Sequence, residues 1–136
     1  MTKRELTQYY YLTIEIENER RRLAELELSA APERELDETR EIIKSKLRSA
    51  ELMKQRTTRE IYGIADIFLR QIFLMRHVDL MSWAAIAVRM GGDNTPDGVR
   101  MAHDRYIKSR QGKKRRARIT AVSRNSKRSC NDTPEQ

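Results

Sequence analysis

Residues 82–108 read SWAAIAVRMGGDNTPDGVRMAHDRYIK and predict two short helices joined by a turn. Ser82 stands where a helix N-cap belongs, and apolar residues follow it at helical spacing as far as Met90. Two glycines then end this helix. Thr95 suits the N-cap of a second helix, and Pro96 suits its first position, where no amide hydrogen is needed. The segment therefore predicts a helix, a glycine-bearing turn and a second helix.

The second helix of this unit has a polar face of the kind that reads bases in the DNA major groove. With Val99 taken as buried, helical spacing directs His103 inward. The candidate DNA-reading residues are those directed outward, namely Asp97, Arg100, Met101, Asp104 and Lys108. Arg100 suits a bidentate pair with guanine, Asp97 suits acceptance of a hydrogen bond from cytosine, and Met101 suits contact with a thymine methyl group. We expect these three residues to discriminate between DNA sequences.

Contacts to the DNA backbone are predicted at four further positions. Arg105 and Lys108 lie farther along the second helix, where phosphate contacts are expected. Ser82 and Thr95 begin the two helices, and helix N-termini favour phosphate binding. An alternative for Arg100 and Arg105 is ion pairing within the protein, with Asp97, Asp104 or a neighbouring helix.

This region and the helix before it resemble known DNA-binding proteins. QIFLMRHVDLMSWAAIAVRMGG (71–92) and VRMAHDRYIKS (99–109) are similar to the helix-turn-helix of sigma-factor region 4, and more closely to phage late-transcription regulators of the RinA and ArpU type. The matching residues are Ile72, Met75, Arg76, Val78, Asp79, Ser82, Trp83, Ile86, Ala87, Gly91, Val99, Arg100, His103 and Arg105. The chain departs from the sigma pattern at Leu80, where glycine is usual, at Ala84 and Ala85, and in a longer turn. The resemblance implies double-stranded DNA as partner and host RNA polymerase as a further one.

The composition indicates a mostly helical, highly solvated chain. Of its 136 residues, 38% are hydrophobic and 35% are charged, and there are five glycines and three prolines. This length suits about one domain with a small core. Because no apolar stretch could serve as a membrane span or signal peptide, we expect no membrane partner and a cytoplasmic location. The resemblance to phage regulators implies that this location is the nucleoid of a bacterial host.

No motif for catalysis or cofactor binding is present. No glycine-rich phosphate loop, Cys-His set or Ser-His-Asp set has local support, so we expect neither an enzyme nor a cofactor. The two histidines, His77 and His103, have no Cys or His partner at metal-binding spacing. The segment from Asp93 to Asp104 only superficially resembles a calcium loop, because Pro96 lies inside it. No metal site is therefore expected.

The positive charge is concentrated at the end of the chain. Of the net charge of +8, residues 111–136 contribute +6, whereas residues 1–60 have equal numbers of acidic and basic side chains. The polar sequence of this tail predicts disorder in the absence of a ligand. Nonspecific phosphate contacts are expected from Lys113, Lys114, Arg115, Arg116 and Arg118.

The N-terminal part, residues 1–56, predicts an antiparallel helical hairpin or coiled coil. Apolar residues recur at helical spacing over residues 4–29, and a second helix is expected from Pro32 to about Gln55. Heptad spacing places Arg20 in the apolar seam, which leaves register and partner open. Both packing within one chain and a homo-oligomer through these helices agree with the pattern.

A third, more apolar helix is expected between the hairpin and the helix-turn-helix. Thr57 and Thr58 break the preceding pattern, and residues 59–77 carry apolar side chains on two faces. One face comprises Ile61, Ile64, Ala65, Phe68, Ile72 and Met75. A helix that is apolar on two sides normally lies between other elements, so we expect it to form the hub of the core.

Together these features predict an all-α chain in three parts: a hairpin (1–56), a sigma region-4-like helix-turn-helix domain (57–110) and a disordered basic tail (111–136). The leading hypothesis is a sequence-specific transcription regulator, encoded by a phage or prophage, acting as a late-gene activator or sigma-like factor. A small terminase subunit that binds packaging-site DNA is the alternative among nucleic-acid-binding proteins. A helical scaffold or partner-binding protein with a solubilising tail is the alternative from another class.

Overall fold

The computed structural model describes residues 1–111, and this part consists of five helices without a β-strand. Four helices are α1 (Lys3–Leu28), α2 (Glu33–Tyr62), α3 (Ile67–His77) and α4 (Trp83–Met90). The fifth, α5, occupies residues 96–111 of the described part. The all-α prediction is confirmed for these residues, and the predicted tail from residue 112 onward lies outside them.

α1 and α2 pack along each other in opposite directions because only a short turn joins them. At the start of α1, Thr2 and Glu5 form a capping box, in which each side chain accepts from the other residue's N–H at 3.1 Å. In the turn, Ala30 adopts a left-handed conformation with φ 53°. The two helices thus begin and reverse through local interactions, and their packing buries side chains such as Ile16 and Ile43.

The seam between α1 and α2 contains an acidic residue rather than the predicted basic one. Arg20 is exposed, so its placement in the seam was wrong. Glu19 follows the buried Ile16 by three residues and turns inward, where its carboxylate lies 3.6 Å from Nζ of Lys46. The same ammonium lies 3.0 Å from the carboxylate of Glu15. One lysine of α2 thus faces two carboxylates of α1, and the buried Oε2 of Glu19 makes no hydrogen bond.

The predicted boundary between the second and third helices was wrong. α2 continues through Thr57 and Thr58 to Tyr62, because the Thr57 side chain is buried and the Thr58 hydroxyl donates to the Lys54 carbonyl at 2.7 Å. The break lies later, at Gly63. α3 then begins behind Asp66, whose carboxylate accepts from the Leu69 N–H at 3.0 Å. α2 therefore runs straight through the proposed division at residue 56.

Two buried clusters meet on α3. Cluster 1 contains Leu6, Ile61, Ile64, Phe73 and Ile107 and joins α1, α2, α3 and α5. Cluster 2 contains Ile72, Ile86, Ala87 and Val99 and joins α3, α4 and α5. The adjacent residues Ile72 and Phe73 are both completely buried, one in each cluster. The predicted role of this helix as the hub is confirmed, although Ala65 and Phe68, predicted for its buried face, are exposed.

Candidate nucleic-acid interface

The turn between α4 and α5 is defined by two glycines and two short polar side chains. Gly91 and Gly92 have φ values of 70° and 61°, a region that glycine enters without strain, and they end α4 as predicted. The Asn94 amide donates to the Gly91 carbonyl at 2.8 Å. The Thr95 hydroxyl accepts from the Gly98 N–H at 3.0 Å, so Thr95 caps α5 as predicted. Local hydrogen bonds therefore set the direction in which α5 leaves α4.

The chain reverses just before α4, at a left-handed residue. Leu80 has φ 57°, although a side chain makes this conformation costly by about 1–2 kcal/mol. Glycine would adopt this conformation without that cost. The Arg76 guanidinium donates to the Met81 carbonyl at 3.1 Å across this bend. Ser82 then caps α4 by accepting from the Ala85 N–H at 3.2 Å.

The α4–α5 unit is held on α3 by cluster 2 and by a cation–π contact. The Arg76 guanidinium lies 4.4 Å from the centroid of the Trp83 ring. The same ring meets His103 edge-on at 5.0 Å between centroids. Arg76 of α3, Trp83 of α4 and His103 of α5 thus contribute to the packing of this unit. They account for the relative placement of its helices.

α5 exposes the face that the sequence predicts. Asp97, Arg100 and Met101 are exposed in its first two turns, and Arg105 and Lys108 are exposed farther along. The opposite side of the helix is buried in clusters 1 and 2. Nη2 of Arg100 lies 3.4 Å from Oδ1 of Asp97, so the alternative of an ion pair within the helix is realised here. An exposed pair of this kind contributes only about 0–1 kcal/mol, which leaves the guanidinium available to a stronger anionic partner.

Asp104 is held differently from the other predicted base-reading residues. Its Oδ1 lies 2.9 Å from Nδ1 of His103 and 3.7 Å from Nζ of Lys3. Its carboxylate therefore contacts His103 of the same helix and Lys3 at the start of α1. This engagement favours a role in positioning α5 over direct contact with a base.

The two histidines form a buried pair between α3 and α5. Nε2 of His77 lies 2.7 Å from Nε2 of His103, and both rings pack near Phe73, with centroid distances of 5.6 Å and 4.4 Å. Spacing along the chain does not predict this pair, because the two residues lie 26 positions apart and become neighbours only when α5 packs on α3. The available signal was helical spacing in α5, which places His103 on the same inward side as the buried Val99.

The hydrogen bonds of the pair limit its protonation. Because the Asp104 carboxylate accepts from Nδ1 of His103, a neutral His103 ring presents Nε2 as an acceptor for the N–H of His77. If both rings were protonated, two N–H groups would face each other across this short contact. At least one ring must therefore be neutral while α5 stays packed on α3.

The surroundings of the pair also disfavour positive charge. Burial, the neighbouring charge of His103 and that of Arg76 lower the pKa of His77 from 6.5 to about 3, against a hydrogen bond with the Leu6 backbone that raises it. Burial likewise lowers the pKa of His103, although the Asp104 carboxylate acts in the opposite direction. Lys3 of α1 adds a further positive charge facing both rings. Protonation of this pair and packing of α5 are thus in competition.

The remaining predicted contacts are distributed as follows. Ser82 and Thr95 both use their hydroxyl oxygens to cap helices, which leaves their backbone N-termini rather than these oxygens for a phosphate. Lys113, Lys114, Arg115, Arg116 and Arg118 lie outside the described residues.

Within residues 1–111, no group of three or more His, Cys, Asp or Glu side chains is arranged to hold a metal ion. None of the helices in the same range combines the length and the apolar character that a membrane crossing requires.

Comparison of the chain with known protein families, with curated proteins and with solved structures found no match. The site is therefore interpreted from its own geometry and chemistry.

Proposed function

We propose that the protein is a sequence-specific DNA-binding transcription regulator whose helix α5 enters the major groove. The observation that carries this proposal is the exposed face of α5, on which Asp97, Arg100 and Met101 lie together in the first two turns. These side chains supply a donor fork, an acceptor and an apolar contact, which are the groups that distinguish base edges. Docking at a defined operator is the mechanism.

The construction of the unit supports this role. A short helix, a hydrogen-bonded turn and a longer helix are packed on a third helix, so buried contacts set the position of α5. The exposed basic residues Arg105 and Lys108 extend the same helix toward its C-terminal half, where the strand backbone is within reach. Base reading by the first turns and phosphate contact by the later ones thus follow from one orientation.

The biological setting is proposed from the resemblance to RinA and ArpU type regulators. On that basis the regulated genes are late genes of a phage or prophage, the complex forms at the host nucleoid, and RNA polymerase is a further partner. DNA binding and polymerase contact are separable parts of the proposal. A pull-down of host polymerase with the full-length protein, in the presence and absence of operator DNA, tests the second part.

Arg100→Ala is expected to weaken binding to the operator by about 1–3 kcal/mol and to relax specificity at one base pair. The operator is first obtained by selecting duplexes from a random pool with the full-length protein. Affinity for this duplex and for a scrambled one is then measured at one salt concentration.

Arg22→Ala is the matched control, because Arg22 is an exposed arginine on α1, away from the α4–α5 unit. We expect this variant to bind like the unaltered protein. The base-reading role of α5 is refuted if Arg100→Ala retains the full preference for the selected duplex. No binding to any duplex at low salt would refute DNA binding as a whole and favour the helical scaffold.

Replacement of the five basic tail residues by glutamine is expected to weaken binding to all duplexes alike. The residues are Lys113, Lys114, Arg115, Arg116 and Arg118. Each phosphate contact that is lost reduces the slope of log affinity against log salt by about 0.9, because fewer counterions are released. The slope is measured for operator and scrambled duplexes between low and moderate salt. An unaltered slope would contradict the role of the tail.

A further inference from the structure

A second heptad stripe runs along α2, and it is exposed throughout. Its members are Glu35, Glu38, Ile42, Ser45, Ser49, Leu52, Arg56 and Arg59. Most of them directly precede a position that faces the α1 seam or the core, as Ile42 precedes the buried Ile43, so the stripe lies about 100° around the helix from that buried side. Two aliphatic side chains lie on it in water, with Ile42 exposed to 42% and Leu52 to 63%. The spacing is that of a coiled-coil seam without a partner.

Stripe positions at equal distances on either side of residue 47 carry side chains of similar size or of opposite charge. Ile42 and Leu52 lie at equal distances on either side of this level, and so do the small residues Ser45 and Ser49. Farther from residue 47, two more pairs lie at equal distances on either side, and each combines an acidic residue with a basic one. These pairs are Glu38 with Arg56, and Glu35 with Arg59. The half toward the start of α2 is acidic, and the half toward its end is basic.

We propose that the protein forms a homodimer in which the outer stripes of two α2 helices pack antiparallel across a two-fold axis at the level of residue 47. In this arrangement every position meets its counterpart at the same distance on the other side of the axis, because a two-fold interface is self-complementary. Ile42 packs on Leu52 of the second copy, Glu38 meets its Arg56, and both contacts occur twice. The serines next to the axis let the two backbones approach closely.

The charge pattern favours a second copy of α2 as the partner and determines that the two helices run antiparallel. A parallel pair would place Glu38 against Glu38 and Arg56 against Arg56, which is repulsive at both ends of the seam. The antiparallel pair converts each of these contacts into an attraction. The existing contact of Glu38 with Arg34, 3.3 Å apart, is an exposed pair within one helix and exchanges at little cost. The inference stands independently of the proposed DNA binding.

Charge reversal with rescue in trans tests this interface on the full-length chain. Sedimentation equilibrium up to about 300 µM is expected to show a dimer, because a seam with few apolar residues supports modest affinity. Glu38→Arg and Arg56→Glu each create two like-charged contacts and are expected to raise the dimer Kd about tenfold or more. An equimolar mixture of the two variants is expected to regain dimers, because arginine pairs then meet glutamate pairs in the heterodimer.

Glu51→Arg is the matched control, since Glu51 is an exposed acidic residue of the same helix that lies off the stripe. Its dimerisation is expected to be unaltered, and far-UV circular dichroism verifies that all variants retain their helices. Positions 38 and 56 lie about 27 Å apart along one helix, so rescue in the mixture reports a contact between two chains. A monomer at every concentration, single variants that dimerise normally, a control that is equally impaired, or a mixture that stays monomeric would each overturn the proposal.

Discussion

Acidification from pH 7 to pH 4 is expected to destabilise the fold by about 3 kcal/mol through the buried pair of His77 and His103. The two rings share one hydrogen bond of 2.7 Å between their Nε2 atoms. This hydrogen bond is lost if both rings become positively charged. Chemical denaturation of the full-length protein at a series of pH values measures the effect. The packing of α5 on α3 is the first contact that we expect to weaken.

The sign follows from the direction of the pKa shifts. The unfolded chain binds a proton on His77 below pH 6.5, whereas the folded chain does so only near pH 3, because burial opposes the charged ring. Between these values the unfolded state holds more protons, so stability rises with pH by about 1.4 kcal/mol per unit and per proton. This contribution is complete above pH 6.5. The lowered pKa of His103 acts in the same direction.

His77→Gln separates this effect from the titration of carboxylates, which also destabilises proteins in acid. The variant lacks the titrating pair but keeps every acidic residue. We expect it to be less stable at pH 7 and to show a shallower dependence on pH between 6 and 4, by about one proton. The same dependence in both proteins would contradict the competition between protonation and packing.

Phe73→Ala is expected to cost about 3–5 kcal/mol of stability. The side chain is fully buried in cluster 1, and its ring lies 4.4 Å from the centroid of His103 and 5.4 Å from that of Tyr106. Its removal leaves a cavity where α1, α2, α3 and α5 meet, and such a cavity cannot be filled without moving a helix. The free energy of unfolding at neutral pH measures the loss.

Phe68→Ala is the natural control for this substitution. The two phenylalanines of the chain lie on the same helix, but Phe68 is 40% exposed. Both variants replace the same residue type in the same helix, so the difference between them reports mainly burial. We expect Phe68→Ala to cost less than about 1.5 kcal/mol. Equal losses in the two variants would contradict the assignment of Phe73 to the centre of the core.

The elements with strong local signals were predictable from the chain. The capping residues Ser82 and Thr95 and the glycines that follow Met90 bounded their helices correctly, because caps and left-handed turns depend on neighbours within a few residues. The exposed face of α5 also followed from its period. By contrast, Thr57 and Thr58 suggested a break that their burial and hydrogen bonding in α2 override.

The contacts that join distant parts of the chain were not predictable in the same way. His77 and His103 lie 26 positions apart, and only the packing of α5 on α3 brings their rings into hydrogen-bonding distance. The choice of Glu19 over Arg20 for the seam likewise depends on where Lys46 of the opposite helix lies. Polar residues are admitted to an interior when a partner is present there.

Local chemistry is enough to specify helices, their ends and the polar face of α5, because spacing and capping act over single turns. The register of α1 on α2 and the histidine pair arise from the assembled helices, since each requires groups that meet only after folding. Residues 82–108 illustrate both kinds of information. Their two helices are predictable from the sequence, whereas the hydrogen-bond partner of the buried His103 is His77 of α3, which only the folded structure brings near.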